Sequence, residues 1–112
     1  EDLYPMGYGS MLMKIATTDV FERWFTRLRD RQAAIRIQAR IDRLEDGNWG
    51  DWQSVGEGVC EMRLHFGPGY RLYFMQHEQC WIVLLAGGDK STQSSDIAIA
   101  KRMAHQLQEQ ER

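Results

Sequence analysis

The 112-residue chain has only two cysteines, Cys60 and Cys80, no long apolar run and little excess of charge, with a formal net charge of −2. The cysteines fit no metal-ligand spacing. With no secretory signal in view a disulfide is not expected, so both read as buried reduced thiols. The longest apolar run, residues 80–86, is strand-sized, against the roughly 20 residues that a membrane-spanning helix needs. No basic segment followed by an apolar stretch opens the chain, and the default expectation is a cytoplasmic protein with no membrane partner. There are no repeats, no low-complexity tracts and no interdomain linker.

Hydrophobic residues make up 43% of the chain and charged residues 27%, both near globular averages, which excludes a disordered chain. Residues 1–10 (EDLYPMGYGS) have no period and end in Gly-Ser before Met11. They read as an appended segment outside a single domain over 11–112. Without Glu1 and Asp2, 14 acidic residues stand against 14 basic ones. Such a balance excludes a general polyanion binder, because non-specific nucleic-acid affinity grows with the number of phosphates neutralised. Any nucleic-acid role must rest on a local cluster.

Residues 12–16 form a short apolar strand candidate. Thr17 or Thr18 can cap a helix with Asp19 and Glu22 in its first turn. Phe21, Trp24, Phe25 and Leu28 then recur at helical spacing. A second helix is expected from about 31 to 46, with Ala34, Ile37, Ile41 and Leu44 on one stripe and Gly47 at its C-terminal end. The short break between the two predicts antiparallel neighbours. The arginines from Arg23 to Arg43 alternate with acidic residues, as on a solvated helix face or a partner surface. A brief strand over 52–55 follows the turn cluster at 47–51.

Residues 59–66 and 70–77 alternate in character around Gly67-Pro68-Gly69 and predict a hairpin. Pairing Phe66 with Tyr70 sets Leu64 opposite Leu72, Met62 opposite Phe74, His65 opposite Arg71 and Arg63 opposite Tyr73. Cys60, Met62, Leu64, Phe66, Tyr70, Leu72 and Phe74 then share one face, and Glu61, Arg63, His65, Arg71 and Tyr73 the other. Residues 80–86 are apolar throughout and predict a strand covered on both faces. A last helix carries Ile97, Ala100, Ala104 and Leu107 at helical spacing. The order β-α-α-β-β-β-α indicates an α+β domain in which helices gather on one face of a small antiparallel sheet. Phe21, Trp24, Phe25, Leu64, Leu72 and Phe74 are the expected core, and the opposite sheet face is expected to be open.

On that face Arg63, His65, Arg71 and Tyr73 would converge, with Lys90 arriving from the end of the neighbouring strand. Cleaving RNA through its own 2′-hydroxyl needs a proton acceptor, charge stabilisation on the phosphate and a proton donor to the leaving 5′-oxygen. Arginine forks suit the phosphate. Histidine is the residue type that exchanges protons near neutral pH. Tyr73 can stack on a base or position a hydroxyl, and Lys90 can act as a second cation or as a base. Each residue also has a plain structural reading, as a solvated strand cation or an ordinary surface histidine. Gly67-Pro68-Gly69 is turn chemistry and not a phosphate loop, since no helix follows it. No cofactor or metal is called for.

The segments Phe21-x-x-Trp24-x-x-x-Leu28-x-Asp30, Gly47-Asn48-x-Gly50-Asp51, Val55-Gly56-x-Gly58-Val59-x-Glu61-x-Arg63, Gly67-Pro68-Gly69-Tyr70-Arg71-x-Tyr73-Phe74 and Gly87-Gly88-Asp89-Lys90-Ser91-x-Gln93 resemble the addiction-module killer proteins. These are a HigB-related branch of the RelE/ParE toxin superfamily. The resemblance implies two N-terminal helices against an antiparallel sheet, and a type II toxin that cleaves messenger RNA at the ribosome. It further implies control by an antitoxin, often a helix-turn-helix protein. Arg63 and Arg71 match the strand positions at which such nucleases contact RNA phosphate, and Lys90 matches the cationic loop after the last strand. Toxins of the ParE type, which poison DNA gyrase without cutting RNA, are the alternative that the resemblance carries.

Overall fold

The computed structural model describes residues 13–110. The segment 1–10 and the first residue of the expected opening strand, Leu12, therefore lie outside the described residues. The elements are β1 (Lys14–Thr17), α1 (Asp19–Thr26), α2 (Arg31–Glu45), β2 (Trp52–Gly56), β3 (Val59–Arg63), β4 (Arg71–His77) and β5 (Trp81–Gly88), then a 3-10 turn (Lys90–Thr92) running into α3 (Gln93–Gln110).

Helix starts follow the chemistry of their caps. The Thr18 hydroxyl accepts from Phe21 N at 3.1 Å and donates to Leu85 O at 2.7 Å. It thereby caps α1 and ties it to β5. Asp30, which interrupts the apolar pattern in the sequence, is the N-cap of α2 and accepts from Ala33 N at 3.1 Å. Gly47, with φ of 82°, follows the end of α2 and donates from its N to Leu44 O at 3.0 Å.

The five strands form one mixed sheet in the order β1-β5-β4-β3-β2. This corrects the expected small antiparallel sheet and the order β-α-α-β-β-β-α. Trp52–Gly56 is a full edge strand paired antiparallel with β3, and β1 pairs in parallel with β5. The helices α1 and α2 lie between β1 and β2 in the chain, and β2 forms the edge of the sheet far from β1. β5 turns back antiparallel from β4 and so runs beside β1 in the same direction.

The open face is a second correction. Phe21, Ile37, Ile41, Leu44, Met62, Leu64, Leu72, Phe74, Ile82 and Leu84 form one buried cluster beneath α1 and α2. Val59, Tyr73, Met75, Val83 and Leu85 form another, with Ala100 and Ala104 of α3. The apolar stripe of α3 buries itself on the sheet face opposite α1 and α2, giving three layers, since an unburied stripe of that size leaves the hydrophobic effect unused. Trp24 and Phe25 are half-buried and pack against the first cluster without belonging to its buried set.

The hairpin register is also corrected. Cys60, Glu61, Met62 and Arg63 pair with Phe74, Tyr73, Leu72 and Arg71 respectively. Leu64 N donates to Tyr70 O at 2.9 Å, so the pairing stands two residues away from the expected one and the turn is wider. Phe66 leaves the ladder to pack on Tyr70 at 5.6 Å between ring centroids, with the Arg36 guanidinium 3.8 Å from its own centroid. Gly67 and Gly69, at φ 58° and 79°, supply the left-handed backbone that the wider turn needs. A two-residue shift preserves the faces, because side chains alternate with a period of two.

Candidate functional site

The basic residues gather at one end of the sheet. Arg63 and Arg71 are direct partners across β3 and β4, and Arg71 also pairs with Gly88 at the end of β5. Lys90 follows two residues on, and its Cβ would lie 3.4 Å from a Cβ placed on Gly69. The turn carrying Lys90 is thus seated against the hairpin loop. His65 is exposed in that loop, with Nε2 2.5 Å from Asp51 Oδ2. Asp51 also anchors the backbone here, accepting at its carbonyl from Arg63 N at 2.8 Å.

The electrostatics follow from this crowding. The Asp51 carboxyl is held below its ordinary value, first by the hydrogen bond from His65, which outweighs the opposing desolvation, and then by the positive charges of His65, Arg63 and Arg71. Among the described residues no acceptor engages the terminal nitrogens of Arg63, and Nε of Arg71 is buried with no hydrogen-bond partner. A cationic fork with unused donors beside a like charge is suited to an anion that can accept from both.

Tyr73 is not part of that surface. Its side chain has no solvent exposure, and its hydroxyl donates to Glu61 Oε2 at 3.2 Å. Stacking on a base, as expected from the sequence, is therefore corrected: the ring belongs to the core under α3. Burial first, and then the nearby Glu61 charge and hydrogen bond, push its phenol above the ordinary tyrosine range.

Glu61 is equally enclosed. Oε1 accepts from Gln53 Nε2 at 3.2 Å and faces Arg63 Nε at 3.4 Å; Oε2 accepts from Tyr73 and, at 2.7 Å, from Gln93 Nε2. Burying an ionised carboxylate is costly unless its oxygens are satisfied, and here four donors from β2, β3, β4 and α3 surround it. The structure thus brings Arg63, Arg71, His65 and Lys90 to one end of the sheet and removes Tyr73 from contact with any ligand. Asp51, Glu61 and Gln93 were not assigned roles from the sequence, although each sits in a motif quoted above for the resemblance.

One hollow of about 470 Å³ reaches the end of β5, where Arg23, Arg27, Gly87 and Asp96 line it. Another hollow of about 800 Å³ is lined by Met13, Lys14, Ile15, Asp42, Glu45, Asp46 and Trp81. Its three carboxylates repel a phosphate backbone, whereas the basic cluster is an open surface of the kind an extended polynucleotide can lie on. Both cysteines are free and half-buried. Among the described residues no group of three or more His, Cys, Asp and Glu side chains could hold a metal ion, and no helix is long and apolar enough to cross a membrane.

Fold and site together define a three-layer α+β domain with a cationic cluster across the end of a mixed five-stranded sheet. The chain is 44% identical over 97 residues to an uncharacterized protein of Haemophilus influenzae, a match covering 87% of this chain and 98% of that protein, and it belongs to that protein's family. No family model matches the chain. No solved structure matches it.

Proposed function

We propose that the chain is the toxin of a type II toxin-antitoxin system, a ribosome-dependent endoribonuclease that cuts messenger RNA and so inhibits translation. The observation that carries the reading is the opposed pair Arg63 and Arg71, with Lys90 held beside the same loop. The motif resemblance to addiction-module killer proteins supports it independently. In this mechanism the two arginines hold the non-bridging oxygens of the scissile phosphate and stabilise the charge that grows there as the 2′-oxygen attacks phosphorus. The bond to the 5′-oxygen breaks and a cyclic 2′,3′-phosphate remains. His65, oriented by Asp51, takes the proton from the 2′-hydroxyl and returns it to the leaving 5′-oxygen, and Lys90 supplies a further cation.

The balanced net charge favours a cut made on the ribosome, where affinity comes from docking and not from a general attraction to RNA. The setting is then the cytoplasm, and the partners are ribosome, message and a cognate antitoxin, in keeping with the helix-turn-helix proteins that accompany such toxins. Burial of Tyr73, which thins the set of groups able to move protons, favours a second reading: a non-enzymatic toxin that poisons DNA gyrase. Mapping transcript 5′ ends after brief induction separates the two. New ends inside translated regions are expected; intact messages together with inhibited gyrase would replace the first reading with the second.

A further inference from the structure

Glu61 is a buried carboxylate that no step of the cleavage uses. Its two oxygens join β2, β3, β4 and α3 through side-chain hydrogen bonds, by Gln53, Arg63, Tyr73 and Gln93. Two of those four connections lead to the basic surface. Arg63 gives its Nε to Glu61, which leaves the two terminal nitrogens for a ligand, and its side chain is 35% exposed against none for Glu61. Gln93 closes the 3-10 turn that begins with Lys90, so its 2.7 Å bond to Glu61 fixes where that turn sits. The same turn is stiffened by Asp89, which accepts from Ser91 N at 2.8 Å. A single buried anion therefore sets both the rotation of one arginine fork and the position of the segment that bears the lysine.

We infer that Glu61 is the positioning residue of the basic site, holding Arg63 and the Lys90 turn in one phosphate-binding arrangement. Its effect on cleavage rests on the nuclease reading; its effect on Arg63 does not. Glu61 also lowers the net positive charge beside the cluster. Removing only its charge should loosen the arrangement while making the surface more attractive to a polyanion. A role confined to holding the fold together would not produce that opposition, because partial unfolding weakens binding and turnover together.

The test uses the full chain, labelled with nitrogen-15, and the variants Glu61→Gln and Gln93→Ala. In the parent the Arg63 Nε–Hε resonance is expected to be distinct and protected from exchange. In Glu61→Gln it should move toward the position of free arginine and exchange at least 10-fold faster. Binding of a short single-stranded RNA should stay equal or tighten, and turnover on programmed ribosomes should fall at least 10-fold. Gln93→Ala should leave the Arg63 signal in place and still lower turnover, and it carries the test should Glu61→Gln fail to fold. An unmoved Arg63 signal in Glu61→Gln, parental turnover in Gln93→Ala, or proportional losses of binding and turnover would overturn the inference. A parent that cuts no RNA while the Arg63 signal responds as expected would refute the nuclease reading and leave the positioning of Arg63 standing.

Discussion

Arg63 and Arg71 face each other as direct partners across β3 and β4. Like charges directly opposed on adjacent strands destabilise a sheet, and here Nε of Arg71 is also buried without an acceptor. The pair is thus a local cost to the fold that a bound phosphate would offset. Arg71→Met keeps the aliphatic stem and removes both the charge and the unpaired donor. The expected outcome is unchanged or slightly raised thermal stability, with messenger RNA cleavage on ribosomes lowered by roughly 100-fold or more. Cleavage at the parental rate by a folded Arg71→Met protein would refute the site assignment.

The Tyr73 hydroxyl is enclosed with Glu61 beneath α3. Tyr73→Phe removes one of the four donors around Glu61 and nothing from the surface. Leaving a buried acceptor short of a partner costs about 1–3 kcal/mol, so denaturant unfolding should shift to a lower midpoint with unchanged slope. The phenol is raised above its unfolded value, so its contribution is complete below the ordinary tyrosine pKa and is lost as pH rises through the folded value. Alkaline destabilisation should accordingly be shallower in Tyr73→Phe than in the parent. Identical alkaline profiles would contradict the enclosed, hydrogen-bonded phenol.

Local chemistry explains which parts of this structure could be read from the sequence. The stripe Phe21, Trp24, Phe25, Leu28 and the Asp30 break announce two helices, and the alternation around Gly67-Pro68-Gly69 announces a hairpin. The sorting of Arg63 and Arg71 onto one face survives the wider turn, because the shift is by two residues. The partner of β1 was hidden, since a parallel pairing across the length of the chain leaves no local signal. The fate of Tyr73 was hidden too. An alternating strand whose second face carries Glu61, Arg63 and Arg71 looks solvated, and only the docking of α3 turns the middle of that face into core while its end stays open. The motif positions Asp51, Glu61 and Gln93 were visible as letters, but what they do depends on contacts between elements far apart in sequence.

Close packing at the end of β5 gives a sharper stability test. A Cβ added to Gly87 would come within 2.2 Å of the Trp24 ring, which no rotation of a small group relieves. Trp24 in turn lies against Phe21 and Tyr70, with ring centroids 5.7 and 6.3 Å away. Gly87→Ala therefore forces the ring and its neighbours to move, at a cost of about 1–3 kcal/mol, or roughly 4–8 °C in Tm for each kcal/mol in a domain of this size. Adding Trp24→Leu should recover part of the loss by vacating the space. A Gly87→Ala protein that melts with the parent would show that the ring does not occupy that position.

The contact between His65 and Asp51 offers a pH test on the surface itself. The Asp51 carboxyl lies below its ordinary value because it accepts from His65 and feels the charges of His65, Arg63 and Arg71. For a lowered carboxylate the sign is fixed: the favourable interaction is present above the unfolded value and is lost as pH falls through the lower, folded one. A carbon-13 titration of the Asp51 carboxyl should therefore give a midpoint below 3.8, shifted upward toward that value in His65→Gln. Asp51→Ala removes the acceptor that orients the imidazole and should lower cleavage by roughly 10-fold or more, with only a small fall in melting temperature, since both side chains are exposed. A midpoint at or above 3.8 would mean that the cations do not converge on Asp51 in solution, and Arg63, Arg71 and His65 would then no longer form a single site.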